Sequence, residues 1–302
     1  MQDKFVVGLG EALWDVFPDG KRIGGAPANF AYHVSQFGLK SIVVSAIGRD
    51  SLGDEIISIF KSKALNYIAP QIDFPTGTVQ VTLDAAGVPD YHITENVAWD
   101  NIPLSEELTS LAKNTCAVCF GSLAQRSDCS RSTINTFLDL LPDNAIIVFD
   151  INLRQNYYTK EIIETSLKKC NILKINEDEL GIVVKMFRLS AKNYESQCAE
   201  LIRKYQLYTV ILTCGENGSY VFTENFKSFI PTPKVKVADT VGAGDSFTAT
   251  FVSSLLRGKD LSTAHEIAVN VSAYVCTQTG AMPVLPIELC ELDFNTKSHH
   301  LM

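Results

Sequence analysis

The sequence predicts an α/β fold: a mostly parallel central sheet with helices on both faces, plus a small β-sheet lid. Three observations predict it. Short β-branched runs, apolar on both faces, recur along the chain, as in strands covered by helices on each side. Amphipathic stretches separate them at the spacing of strand–helix–strand units. Two hairpin-like stretches in the first third break this rhythm.

In chain order, the expected strands are Phe5–Gly8, Ser41–Ala46, Ala117–Phe120, Ile146–Asp150, Ile172–Ile175 and Val210–Thr213. The expected helices are Ala28–Gln36, Leu52–Ala64, Ser105–Lys113, Arg131–Leu140, Glu161–Lys169 and Tyr194–Tyr205. Pro18-Asp19-Gly20 is a turn signal between strand-like flanks in Val16–Ile23. Thr78–Leu83 and Pro89–Ile93 read as two alternating strands joined by Asp84-Ala85-Ala86-Gly87. The lid is therefore expected from about 12–23 and 74–98. The 302 residues are expected to form one domain, 1–302, since a chain of this length can bury one large core.

Composition narrows the partners. Thirty-four acidic against 26 basic residues leave a net charge of −8. No basic field exists to release counterions from nucleic acid or to hold an anionic membrane surface. No apolar run approaches the ~20 residues of a membrane helix. Met1-Gln2-Asp3-Lys4 leads straight into strand-like Phe5-Val6-Val7, so no signal peptide is expected and the expected location is the cytosol. Eight cysteines are scattered along the chain, and only Cys116 and Cys119 show a suggestive C-x-x-C spacing. They fall in a buried strand, where an offset of three should point them to opposite faces, so reduced core thiols are expected.

The strongest local signal is Asp239-Thr240-Val241-Gly242-Ala243-Gly244-Asp245-Ser246-Phe247. Ala243, Phe247, Phe251 and Leu255 recur every four residues, marking a helix that begins near Gly242. Gly242, Ala243 and Gly244 thus offer unhindered amides at a positive helix end, where a phosphate can sit. Asp245, in the first turn, can take the proton of a hydroxyl that attacks a terminal phosphate. The same residues also suit an ordinary helix start with an acid in its first turn. Neither G-x-x-x-x-G-K-[ST] nor a complete G-x-G-x-x-G is present. A bound nucleotide must therefore be held by another route.

Gly24-Gly25-Ala26-Pro27-Ala28-Asn29 and Asp239–Phe247 together resemble the two signatures of the PfkB carbohydrate kinases, a family with a ribokinase-like fold. Between them, Gly48–Gly53, Asp150-Ile151-Asn152-Leu153-Arg154, Asn176–Glu179 and Thr213–Gly218 are similar to intermediate motifs of that family. Gly8–Asp15 resembles the start of fructokinases in particular.

The resemblance implies a catalytic base at Asp245, an anion hole at Gly242, Ala243 and Gly244, and a cation at Arg154. It implies sugar contacts from Asp15, Gly25 and Asn29, and nucleotide contacts from Asn176, Thr213, Gly215, Gly218 and Asn270. Glu179 would organise Mg²⁺ through water, and Asp239 would help hold a monovalent cation such as K⁺. The implied activity is ATP-dependent phosphorylation of a sugar hydroxyl, with D-fructose to fructose 6-phosphate as the leading reaction and a homodimer formed through the lid. Ribokinase, 2-keto-3-deoxygluconate kinase, adenosine kinase, a kinase of a sugar phosphate and a non-catalytic sugar or nucleotide sensor are the alternatives. Gln155-Asn156-Tyr157-Tyr158 departs from the leucine–tryptophan pair that follows the arginine in many relatives.

Overall fold

The computed structural model describes residues 4–83 and 89–291. The first half contains β1 (Phe5–Leu9), β2 (Leu13–Phe17), β3 (Gly20–Gly24), α1 (Ala26–Gln36), β4 (Ser41–Val44), β5 (Ile47–Gly48), α2 (Ser51–Ser62), β6 (Asn66–Ile68), β7 (Gln71–Ile72), β8 (Gly77–Leu83) and β9 (Pro89–Ile93). There follow α3 (Glu106–Lys113), β10 (Thr115–Phe120), α4 (Asp128–Asp139), β11 (Ile146–Asp150), α5 (Lys160–Lys169), β12 (Ile172–Asn176) and α6 (Glu177–Phe187). The chain continues through α7 (Tyr194–Tyr205), β13 (Thr209–Thr213), β14 (Ser219–Phe222), β15 (Lys227–Ile230), α8 (Ala243–Leu256), α9 (Leu261–Cys276) and α10 (Ile287–Cys290).

Among the described residues, nine strands form one sheet in the order β15-β14-β13-β12-β11-β10-β1-β4-β6. Pairing is parallel from β6 to β13 and antiparallel for β14 and β15. Successive strand residues alternate between two cores. Val7, Val118, Phe149 and Leu173 pack on the face covered by α3, α4, α5, α6 and α7. Val6, Ala117, Val148 and Ile172 pack on the other, with Phe30 of α1 and Phe247 and Phe251 of α8. Burial on both faces is why these strands read as continuous apolar runs. A second, four-stranded sheet runs β3-β2-β8-β9. The turn Asp84–Gly87 lies outside the described residues.

Eight elements escape the sequence pattern: β5, β6, β7, α6, β14, β15, α9 and α10. β14 and β15 follow a turn at Gly215–Gly218 and extend the parallel sheet with an antiparallel edge. α9 is buried on most sides, with only Ser262 and Glu266 exposed. One expectation needs correction: Cys116 and Cys119 pack toward the same core. The register slips where Phe5 faces Thr115 and Val6 faces Ala117, and this bulge resets the alternation at Cys116.

Helix α1 crosses β1 at Gly8, and a Cβ there would stand 2.0 Å from the Pro27 carbonyl oxygen. Gly8→Ala is expected to destabilise the protein by about 1–3 kcal/mol, read as a lower urea midpoint. An unchanged midpoint would contradict this close approach.

Candidate active site at the carboxyl edge of the sheet

Parallel pairing places the carboxyl ends of β1, β10, β11, β12 and β13 on one edge, the usual ligand-binding edge of such sheets. That edge carries Glu11 just beyond β1, Asp150 at the end of β11, Asn176 at the end of β12 and Thr213 at the end of β13. Helices α1 and α8 start above it. Both have glycine N-caps with left-handed backbone, Gly25 at φ 113° and Gly242 at φ 80°, and neither has a side-chain cap. By contrast, α2, α3, α5, α6, α7 and α9 are capped by Asp50, Ser105, Thr159, Asn176, Asn193 and Asp260.

Asn29, in the first turn of α1, donates Nδ2–H to Asp245 Oδ2 at 2.7 Å. Its own Oδ1 is buried without a partner. This single bond joins the two signature motifs across most of the chain. A small cavity between them is lined by Ala26, Pro27, Gly121, Asp150 and Asp245, among others.

A buried ion pair lies beneath the α8 terminus. Lys174 Nζ stands 3.1 Å from Asp150 Oδ1, and a Cβ on Gly244 would meet the same ammonium at 2.9 Å. Burial pulls Lys174 down, but Asp150, Glu179 and Asp245 together hold it above its usual range. Sequence reasoning missed Lys174. The signal was there: a lysine inside Ile172-Leu173-Lys174-Ile175 must find a charged partner to be buried.

Burial raises Asp245 to about 6, helped by Asp150 and opposed by Asn29, Lys174 and Arg154. Burial likewise raises Asp15 to about 6, against the pull of Arg154 and Arg22. Glu11 was also overlooked as a site residue. It is 3% exposed, its Oε2 has no partner among the described residues, and burial pushes it to about 7 with Asp245 adding to the rise. The exposed Arg154 guanidinium thus acts on Glu11, Asp15 and Asp245 together. It is flanked by Asn152 at φ 40° and Gln155 at φ 46°, a strained stretch of the kind that functional loops hold.

Gly25 passes directly over Glu11, leaving no room for a Cβ, which would stand 2.3 Å from the Glu11 carbonyl oxygen. Asn176 and Glu179 form a reciprocal capping box at the start of α6, with both contacts at 2.9 Å. Glu179 Oε1 also accepts the Leu153 amide at 2.9 Å, so this carboxylate fixes the loop before Arg154. Thr213, Gly215 and Gly218 line the turn from β13 to β14, and Asn270 stands half-buried on α9. Asp239 accepts the amides of Val241 and Gly280. Ala281 packs on Gly242, and its carbonyl takes a 2.9 Å contact from His33 of α1.

The pfkB family carbohydrate kinase model matches residues 7–288, almost all of this architecture. This chain belongs to that family. The kinase is 30% identical over 281 residues to the ATP-dependent 6-phosphofructokinase of Thermoanaerobacterium thermosaccharolyticum, covering 88% of this chain and 82% of the relative. It is 29% identical over 311 residues to the Arabidopsis thaliana protein described as probable fructokinase-5, covering 93% and 94%. The fructokinase of Xylella fastidiosa with bound ATP superposes with a TM-score of 0.85 at 19% identity, over 96% of this chain and 98% of that one. The kinase thus has the ribokinase-like α/β fold with an additional small sheet. No helix of its described residues is long and apolar enough to cross a membrane.

Glu11 gives a pH test. Its folded value of about 7 lies above the ordinary 4.5, so the folded state holds a proton that the unfolded chain gives up between these values. The stability tied to that proton is complete below pH 4.5 and lost as pH rises through 7. Relative to Glu11→Gln, the wild-type kinase is expected to lose on the order of 1–3 kcal/mol between pH 4.5 and 8. Parallel stability curves from chemical denaturation at the two pH values would refute the assignment.

Proposed function

We propose that the protein is an ATP-dependent fructokinase, transferring the γ-phosphoryl group of ATP to the 6-hydroxyl of D-fructose. The observation that carries this reading is Asp245 in the first turn of α8, hydrogen-bonded to Asn29 of α1 at 2.7 Å and set among uncapped amides. Asp15, Gly25 and Asn29 hold the sugar: a carboxylate accepts hydroxyl donors, an amide does both, and the bare glycine lets the ring approach. Asp245 orients the attacking hydroxyl and takes its proton as the new P–O bond forms and the bond to the β-phosphate oxygen breaks. A free alcohol is too weak an acid to ionise first. The amides of Gly242, Ala243 and Gly244 stabilise the transferring phosphoryl oxygens, and Arg154 offers a forked cation to them.

Thr213, Gly215, Gly218, Asn176 and Asn270 line the nucleotide side. Asp150, Glu179 and Asn176 supply the hard oxygen donors that suit Mg²⁺ held through water and phosphate. The Glu179 oxygens already accept two backbone amides, which favours a water-mediated contact over a direct one. Held there, Mg²⁺ would supply charge compensation to the phosphate oxygens. Asp239 and the backbone around Gly280 and Ala281 form the site for a monovalent cation such as K⁺.

The small sheet β3-β2-β8-β9 acts as a lid that excludes water from the transfer. Among the described residues, both of its outer strands, β3 and β9, have one unpaired edge. Pairing these edges between two copies supports a homodimer through the lid. All eight cysteines are free thiols, in keeping with a cytosolic enzyme.

A sugar phosphate is the competing substrate, because a 30% identical relative is a 6-phosphofructokinase. The sugar side gathers Glu11, Asp15 and Asp245 around Arg154 as the cation acting on all three, a balance that favours a neutral polyol over a dianion. ADP release measured with fructose, ribose, 2-keto-3-deoxygluconate, adenosine and fructose 6-phosphate separates the readings. Turnover selective for fructose is expected, and no turnover with any of them would favour a sensor. Asp245→Asn is expected to keep its melting temperature and ATP affinity while kcat falls about 10²–10⁴-fold. Near-normal turnover by that variant would remove Asp245 from the base position.

A further inference from the structure

One buried cation outside the site joins both legs of the second lid hairpin. Arg126 ends the short helical turn Leu123–Arg126 that follows β10. Its Nε and Nη2 donate to the two oxygens of Asp100, each at 2.8 Å. Nη2 also donates to the Thr94 carbonyl at 2.6 Å, just beyond β9. The guanidinium carbon lies 4.1 Å from the ring centroid of Trp99 and 4.6 Å from that of Tyr157. Trp99 in turn packs on Gly77, the first residue of β8, where a Cβ would stand 2.1 Å from the indole nitrogen. Tyr157 Oη donates to the Ile93 carbonyl at 3.3 Å and to Glu95 Oε1 at 2.9 Å.

The stack therefore touches the beginning of β8 through Trp99 and the end of β9 through Arg126 and Tyr157. Tyr157 lies on the same loop as Arg154, whose charge acts on Asp15 and Asp245.

We propose that Arg126 and Tyr157 are positioning residues for the sugar: together they latch the base of the β8–β9 hairpin to the loop that carries Arg154. The latch holds the lid strands at a fixed distance from Arg154, so the sugar meets lid and cation in one arrangement. Two aromatic rings beside its carbon and a carboxylate on its edge restrict the guanidinium. Nη1 is buried without a partner among the described residues. The kinetic part of the proposal rests on the fructokinase reading; the mechanical part does not.

Tyr157→Phe keeps the ring over Arg126 and removes only the hydroxyl. It is expected to raise KM for fructose about three- to tenfold, with KM for ATP and kcat at saturating sugar within about twofold of wild type. Amide hydrogen exchange in β8 and β9 is expected to quicken while exchange in β10–β13 stays unchanged. Arg126→Lys, which retains charge but loses the fork and the flat stack, should move both readouts further in the same direction. Unchanged exchange in β8 and β9 of Tyr157→Phe overturns the latch, whatever the kinetics. A matched loss of kcat, both KM values and melting temperature also overturns it, since that marks a general packing defect. If the wild-type enzyme turns over no sugar, the fructokinase reading fails and exchange alone decides the latch.

Discussion

Two helix N-termini meet at one hydrogen bond, and the rest of the site is arranged around that meeting. α1 and α8 lie on the same face of the large sheet and share one core. Their first turns converge where Asn29 bonds Asp245. Each helix begins at a glycine with left-handed backbone and no side-chain cap, so the positive ends of both dipoles face the same space. Anionic groups are favoured there for a reason that requires no charged side chain. Most of the other helices spend their first amides on a Ser, Thr, Asp or Asn cap.

Charge around this point is concentrated and poorly solvated. Asp245, Asp15 and Glu11 are all raised, with burial the largest cause each time. Asp245 adds to the rise at Glu11, and Asp150 to the rise at Asp245. Arg154 opposes the rise at all three, and Lys174 opposes it at Asp245. The Lys174–Asp150 pair is itself costly to bury. It carries a fixed cation to the backbone at Gly244, a place that a flexible surface lysine could not hold. Glu179 also clamps the backbone, its oxygens accepting the amides of Asn176 and Leu153. The N-x-x-E pattern thus ties the start of α6 to the loop that presents Arg154.

Much of the fold was legible because buried parallel strands have a simple signature. Phe5–Gly8, Ile146–Asp150 and Ile172–Ile175 are apolar on both faces, and each lies within a strand of the large sheet. β14 and β15 were missed because alternation is weak in short edge strands such as Lys227-Ser228-Phe229-Ile230. α9 was missed because it is buried on most sides and lacks the polar stripe that betrays a surface helix. The two cysteines at 116 and 119 were placed on opposite faces by a rule that holds only while the register holds, and a bulge at the start of β10 broke it.

The sequence by itself determined the strand–helix alternation, the glycine-led start of α8 and the family, because each is written in local spacing and residue type. It also marked Asp245 and Asn29, but as members of two motifs far apart in the chain. Only the tertiary structure decided that they touch, that Lys174 lies under Gly244, and that Glu11 has a buried oxygen with no partner among the described residues. These facts depend on which strands are neighbours and how close each helix passes. Distance between residues remote in sequence is set by packing of the whole core, and no local pattern records it.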